Sequence, residues 1–380
     1  MATASPPRKD QRVAVVTGGM GFIGSHLIKL LLDTDPELVV YNIDMGDYAA
    51  ANGTRFAKHR HHAWSYPPAD LDLFVRSEQF RADARHFWLP QDIVTAETDG
   101  YVRRLFSHYR PHVVYHLAAK SHVDRAIESP AEFVRTNVCG TQAMLELSRL
   151  SDRLEKFVYI STDEVYGSVA RETSDGFTEE SITRCGNPYS AAKAGGEQLA
   201  LAYHNTYGLP AVITRGCNTY GEYQFPEKLI PLACRRVLRD LPVPVYGDGQ
   251  QSRQWMHVRD HATGIIAAAE KGRPGEIYNL STGLPVANID IVKLILNEFG
   301  RPESRIQFVP DRPGHDRHYR ISAAKAALEL DWQPRYSRES VWSRLREVFC
   351  WYAGVEGQSW VDNLGHDTDR RLGLCQKESS

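Results

Sequence analysis

Residues 17–24 read Thr17-Gly18-Gly19-Met20-Gly21-Phe22-Ile23-Gly24. The glycines at 18, 21 and 24 form a G-x-x-G-x-x-G turn. Before it, residues 12–17 (R-V-A-V-V-T) are a short apolar run rich in β-branched side chains, the pattern of a strand buried on both faces of a parallel sheet. After it, residues 23–32 have helical character. Gly18 permits the tight turn, Gly21 lets backbone N–H groups approach a pyrophosphate, and Gly24 allows the helix to pack closely on the strand. The helix N-terminus then offers partial positive charge to an anion. Asp44 stands 20 residues after Gly24, at the end of a second apolar run, 38–43. A carboxylate there accepts hydrogen bonds from an adenosine ribose diol and repels a 2′-phosphate, so the expected cofactor is NAD rather than NADP. Asp92-Ile93, closing a third strand, is placed to meet the adenine, with a helix cap as the alternative reading.

Further apolar runs at 112–117, 157–161 and 211–214 each follow a helix-like segment. Strand–helix alternation of this kind predicts an α/β fold with a doubly wound parallel sheet. Beyond about residue 220 the strands shorten and proline rises, with helices expected over 289–299 and 338–352, so a smaller C-terminal α/β substrate lobe is expected. The division reads as a dinucleotide-binding domain over 11–218, a substrate lobe over most of 219–355, and a polar tail over 356–380. An insertion at 48–89 interrupts the first domain. It carries His59-Arg60-His61-His62, Trp64, Tyr66 and Pro67-Pro68, with a helix over 70–80. The cluster admits a lid or a metal site; a surface excursion is the preferred reading and no metal is expected.

The 380 residues include 45 basic and 47 acidic side chains, and 42 % are hydrophobic. That usage is ordinary for a globular protein. Near-neutral charge without a basic block gives no case for nucleic acid. No run approaches the roughly 18–20 apolar residues that span a bilayer, so no membrane role is expected. Residues 1–9 do not form a secretory signal. The six cysteines are scattered without a C-x-x-C pair, which suggests buried free thiols in a reducing cytoplasm.

Tyr189 and Lys193 form Y-x-x-x-K within Asn187-Pro188-Tyr189-Ser190-Ala191-Ala192-Lys193, a spacing that puts both on one helical face. An ordinary tyrosine, with pKa near ~10, is a poor base at neutral pH. A nearby ammonium and a nicotinium ring would favour its phenolate. Ser161-Thr162-Asp163-Glu164-Val165-Tyr166-Gly167 begins at the carboxyl end of the 157–161 strand, where open α/β sheets bind ligands. An acid and a base at neighbouring positions suit a β-elimination, which requires Asp163 and Glu164 to have different environments.

The glycine turn, His116-Leu117-Ala118-Ala119 and Y-x-x-x-K resemble the extended branch of the short-chain dehydrogenase/reductase superfamily, with its Rossmann domain. Within that branch, the 161–167 segment resembles the dTDP-glucose 4,6-dehydratase family. So do Ser121-His122-Val123-Asp124-Arg125, residues 225–231 (F-P-E-K-L-I-P), 245–249 (V-Y-G-D-G) and 311–317 (D-R-P-G-H-D-R). The likeness runs from about residue 12 to 353.

The resemblance implies an NAD-dependent lyase acting on a nucleotide diphosphate hexose, with dTDP-glucose favoured. Tyr189 would deprotonate the 4-hydroxyl, Glu164 would take the C5 proton, and Asp163 would protonate the departing 6-hydroxyl. Thr162 would hold the 4-oxygen, and Lys193 would assist Tyr189 and the nicotinamide ribose. Cofactor positions fall on Gly18, Gly21, Phe22, Ile23, Gly24, Asp44, Asp92, Ile93, Leu117, Ala118, Ala119, Thr136, Tyr189 and Lys193. Substrate positions fall on Ser121, Thr162, Asn218, Glu227, Lys228, Val245, Tyr246, Arg253, Asn279, Arg312 and His315, with Arg253 and Arg312 expected on the diphosphate. A cytoplasmic homodimer is implied, paired through the helix after Thr136 and the one carrying Tyr189. The apolar residues Met144, Leu145, Leu147, Leu199 and Ala202 suggest that interface, with a core role the alternative. This chain departs from the family pattern at Lys120, Thr219, His257 and Arg259, and in its longer 48–89 segment. Competing readings are a related epimerase or dehydratase for another nucleotide sugar, and a non-catalytic NAD-bound scaffold.

Overall fold

The computed structural model describes residues 11–46, 85–169, 176–283, 285–311, 313–336, 338–354 and 357–358. Most of the 48–89 insertion, Arg312 and nearly all of the 356–380 tail lie outside the described residues.

The first half of the chain alternates strands and helices. These are β1 (Val13–Thr17), α1 (Phe22–Thr34), β2 (Val39–Ile43), β3 (His86–Leu89), α2 (Gly100–Arg104), β4 (Val113–His116), α3 (Val123–Glu128), α4 (Pro130–Val134), α5 (Gly140–Ser148), β5 (Lys156–Thr162), α6 (Pro188–Tyr207) and β6 (Ala211–Gly216). Then follow β7 (Asn218–Tyr220), α7 (Leu229–Leu238), β8 (Val243–Tyr246), β9 (Ser252–His257), α8 (Val258–Lys271), β10 (Ile277–Leu280), β11 (Pro285–Ala287), α9 (Asn288–Glu298), β12 (Ile306–Val309), α10 (Ala324–Leu330) and α11 (Arg338–Ala353).

Seven strands form one sheet in the order β10-β6-β5-β4-β1-β2-β3, parallel at every step. Each residue of β1 is buried, because alternate side chains enter cores on opposite faces. Val13 and Val15 join Tyr41, Phe157 and Tyr159 on one face, and Ala14 and Val16 join Leu27, Val158 and Ile265 on the other. That two-sided burial explains why the strands read as unbroken apolar runs. Strand order reverses at β1/β4, and the site forms along the carboxyl ends there, as in other doubly wound sheets.

The smaller lobe holds a three-stranded β11-β9-β7 sheet and a parallel β12-β8 pair over its own core. The expected boundary at residue 218 is crossed in both directions of the fold. α8 packs on the large sheet through Ala262, Ile265 and Ala268, and β10 pairs with β6 through Tyr278↔Thr214 and Asn279↔Arg215. The reason is that β6 needs a partner on its outer edge, and the chain returns to supply one.

One open alternative is settled and one expectation is corrected. Met144, Leu145 and Leu147 are fully buried in the large core, so they are packing residues rather than an interface. Of the described cysteines only Cys217 and Cys234 are buried, whereas Cys139 and Cys350 are exposed.

Candidate active site

A cavity of about 560 Å³ runs along the carboxyl ends of the central strands. Its first part is the glycine turn. Gly18 has φ +72°, and a Cβ there would sit 2.7 Å from the Ala118 nitrogen. A Cβ on Gly24 would run into the Gly18 carbonyl and approach the Gly19 Cα to 2.8 Å. On Gly21 a Cβ meets only the Gly18 oxygen, at 3.2 Å, and otherwise projects into open space beside the turn. α1 starts at Gly21 with no side-chain cap and no acidic residue in its first turn. Its N–H groups therefore keep their capacity for an anion. The Asp44 carboxylate accepts hydrogen bonds from the Met20 and Gly46 N–H groups, both at 2.8 Å, which fixes it against the turn. These residues fit a dinucleotide pyrophosphate and adenosine.

Phe22, Ile23, Ile93, Leu117, Ala118, Ala119 and Thr136 line the same cavity, with Asp92. Asp92 also accepts from the Val94 N–H at 3.0 Å, but it opens a turn and caps no helix: the next helix starts at Gly100 and is capped by Asp99. Below them, His116 bridges Thr17 Oγ1 at 2.8 Å and Thr141 Oγ1 at 3.0 Å. Burial and the nearby Lys193 charge hold its imidazole neutral, down at about 3.

The second part is the end of β5. Thr162 begins the turn Asp163–Tyr166 by accepting from the Glu164 N–H. Asp163 is 2 % exposed, and its Oδ2 has no hydrogen-bond partner among the described residues. Burial and the adjoining Glu164 push its carboxyl up to about 7. Glu164 instead accepts from the Asn187 side-chain amide at 3.2 Å and the Tyr319 hydroxyl at 3.5 Å. The two carboxyls thus have the different environments that the sequence reading requires.

α6 starts on a capping box in which Asn187 and Ser190 exchange hydrogen bonds, with Pro188 opening the helix. That start directs Tyr189 and Lys193 into the cavity wall. The phenolate is expected beside bound NAD, and in the protein alone the phenol persists. Burial and the Glu164 carboxylate push the Tyr189 phenol far up, opposed by its Thr162 contact, so the proton stays on oxygen. Lys193 is lowered to about 7 by burial, with Glu197 opposing.

Of the substrate positions, Ser121, Thr162, Asn218, Glu227 and Lys228 line this cavity. Glu227 is gripped by His122 at 3.3 Å and Arg125 at 3.5 Å, and Lys228 Nζ donates to the Ser121 carbonyl at 3.2 Å. Val245, Tyr246 and His315 sit away from it. The Tyr246 hydroxyl donates to Asp124 at 3.2 Å, and His315 pairs with Asp311 at 2.6 Å.

Two expectations change here. Arg253 points its guanidinium at the backbone carbonyls of Ser252, Asp316 and Arg317 and over the Tyr319 ring, outside the cavity wall. Asn279 is fully buried, accepting from the Tyr166 hydroxyl at 2.8 Å and donating to the Phe177 carbonyl at 3.3 Å, so it braces the fold. Two of the unusual positions find partners. Lys120 lines the cavity in an ion pair with Glu132 at 3.1 Å. His257 is buried, 3.5 Å from Glu222, and is no part of the cavity wall.

Sequence reasoning missed Asn187 and Tyr319, which hold Glu164, and His261, which lines the cavity from α8. The S/T-like capping pattern at Asn187 was a readable signal; Tyr319 and His261 carried none.

The chain matches the model of the GDP-mannose 4,6 dehydratase family over residues 15–345. The chain belongs to this family. Among curated proteins, the dTDP-glucose 4,6-dehydratase of Xanthomonas campestris pv. campestris (strain B100) is 39 % identical over 92 % of this chain and 95 % of its own. That of Neisseria meningitidis serogroup B is 38 % identical over 95 % and 99 %. The dTDP-glucose 4,6-dehydratase of Streptomyces venezuelae, solved with NAD bound, superposes with TM-score 0.79 at 37 % identity, covering 93 % of this chain and 99 % of that one. A UDP-glucose 4-epimerase of Thermus thermophilus, also with NAD, reaches 0.74 at 26 % identity over 90 % and 99 %. The dehydratases and the epimerase share this chain's fold.

Proposed function

We propose that the protein is an NAD-dependent nucleotide-sugar 4,6-dehydratase whose substrate is dTDP-glucose. The observation that carries this reading is the pair of carboxyls at the end of β5, one raised to about 7 by burial and the other hydrogen-bonded, beside Tyr189 and Lys193. NAD, held along the glycine turn and Asp44, would supply a hydride acceptor for C4 and a hydride donor for C6.

Thr162 and Tyr189 hold the sugar 4-hydroxyl, and Tyr189 takes its proton. Lys193, as ammonium, favours the Tyr189 phenolate that accepts this proton. The 4-ketone acidifies the C5 proton, which Glu164 removes. Asp163, protonated near neutral pH, gives its proton to the 6-hydroxyl as water leaves. Glu164 then returns a proton to C5, and a 4-keto-6-deoxy sugar nucleotide results. Glu227 and Lys228 hold the sugar and diphosphate, with Ser121 and Asn218 beside them. Val245, Tyr246 and His315, away from that cavity, are assigned to the nucleotide end of the substrate.

Residues 11–218 are assigned to the cofactor and most of 219–355 to the sugar nucleotide. The reading includes a cytoplasmic homodimer. The exposed thiols of Cys139 and Cys350 suit a reducing compartment, and no helix among the described residues is long and apolar enough to cross a membrane. Exposed Val134, Leu150 and Tyr207 on α4, after α5 and on α6 support pairing through that side. A monomeric mass at micromolar concentration overturns the dimer. The activity is tested by incubation with a panel of nucleotide sugars and mass analysis of the products. Loss of one water from dTDP-glucose supports the assignment; an unchanged mass with altered stereochemistry overturns it in favour of an epimerase.

A further inference from the structure

His261, in the first turn of α8, is 2 % exposed and lines the cavity beside Gly216 and Thr219. Its ring occupies the space that a Gly216 Cβ would fill, 2.5 Å from that position, so the glycine at the end of β6 is what admits it. Its two nitrogens are in different states. Nδ1 lies 2.8 Å from Thr219 Oγ1, whose own hydroxyl proton goes to the Cys217 carbonyl at 3.2 Å. Thr219 Oγ1 must therefore accept, and Nδ1 must carry the hydrogen. Burial keeps the imidazole neutral, down at about 4. Nε2 is then a bare lone pair, fully buried and without a hydrogen-bond partner among the described residues. An acceptor left that way costs free energy unless a bound group supplies a donor.

The location narrows the donor. Asp44 follows β2 and His261 stands over β6, four strands along the sheet, or roughly 19 Å at the usual spacing. A dinucleotide with its adenosine at Asp44 therefore brings its other base toward β5 and β6. Sugar hydroxyls have Asp163, Glu164 and Glu227 as acceptors on the cavity wall. A primary carboxamide, with two N–H donors, suits a site that can only accept. We propose that His261 reads the nicotinamide carboxamide, with Nε2 accepting an amide N–H and Thr219 fixing the tautomer. His261 and Thr219 are positioning residues, and their role rests on the NAD reading above.

The test is equilibrium binding to cofactor-stripped protein of NAD and of 3-acetylpyridine adenine dinucleotide, in which a methyl replaces the amide nitrogen. His261→Phe keeps the ring volume and removes the acceptor. It should weaken NAD binding about tenfold and leave the acetylpyridine dinucleotide nearly unchanged. His261→Gln, which restores an acceptor at similar reach, should recover part of the loss. Thr219→Val should show the same selective loss in a second background, should the phenylalanine variant not fold. Equal weakening of both dinucleotides, or of neither, overturns the carboxamide assignment while leaving the cofactor reading intact. A parent protein that binds neither overturns the cofactor reading itself, and this inference with it.

Discussion

The ammonium of Lys193 lies 4.2 Å from the centroid of the Tyr159 ring, while the Tyr159 hydroxyl donates to the Lys193 backbone carbonyl at 3.0 Å. One buried tyrosine thus supports the lysine at both ends. The ring face attracts the cation that burial would otherwise neutralise. Tyr159→Phe should leave the alkaline limb of the rate profile in place, because the ring remains. Tyr159→Leu should move that limb down by about one pH unit. The measurement is kcat against pH for both variants; coincident profiles would show that the ring does not sustain the charge.

Asp163→Asn should separate oxidation from elimination. The asparagine keeps the size but has no proton to give the 6-hydroxyl. Reduced-nicotinamide absorbance should rise in a single turnover with no loss of water, and dehydration should fall by about 10² to 10⁴. Dehydration at close to the parent rate would make the carboxyl pair structural.

The same substitution should alter stability with pH in a defined direction. The Asp163 carboxyl is raised to about 7 in the folded protein, against about 4 when unfolded. The folded state therefore binds the proton more tightly. Its contribution is complete below about pH 4 and is lost as pH rises through about 7. Asp163→Asn should melt several degrees above the parent at pH 8, and the difference should shrink or reverse at pH 5. Thermal melts at the two pH values decide it.

Tyr189→Phe removes the group proposed to take the 4-hydroxyl proton, so neither reduced-nicotinamide absorbance nor keto sugar should build up. The rate should fall by about 10² or more. Glu164→Gln should still allow oxidation but slow exchange of the C5 proton with deuterated solvent. Normal exchange in Glu164→Gln would assign the C5 proton to another base.

Asp44→Ala should weaken NAD binding by about tenfold or more, since it removes a carboxylate and releases the Met20 and Gly46 N–H groups. The product should be unchanged. An altered product, or unaltered binding, would place the adenosine elsewhere.

The strands of the large sheet were legible because burial on both faces leaves runs of valine, isoleucine and tyrosine with glycine at the turns. Residues 12–17 and 157–161 need no tertiary information to be read that way. The glycine turn and Asp163–Glu164 were legible for a similar reason, because each is a local constellation. His261 and Tyr319 were not, since each reaches the site from far along the chain and looks like any residue of its segment. Asn279 and Arg253 show the converse. Their residue types suit ligand binding, but local packing turns the asparagine onto Tyr166 and the arginine onto backbone carbonyls. Met144, Leu145 and Leu147 have an apolar spacing that serves a core as well as an interface, and only their neighbours distinguish the two.

The return of β10 to the edge of β6 has a consequence for synthesis. During translation residues 11–216 emerge with six of the seven strands, yet β6 lacks its outer neighbour until residues 277–280 have followed. For that interval the nascent chain presents an unpaired parallel edge, the kind that attracts other strands. His261, Gly216 and Thr219 meet only after α8 has emerged, so that side of the cavity is completed after the first six strands. Genes that split this chain near residue 218 should yield an insoluble first half, whereas a circular permutant opened after residue 283 keeps every strand of the large sheet together.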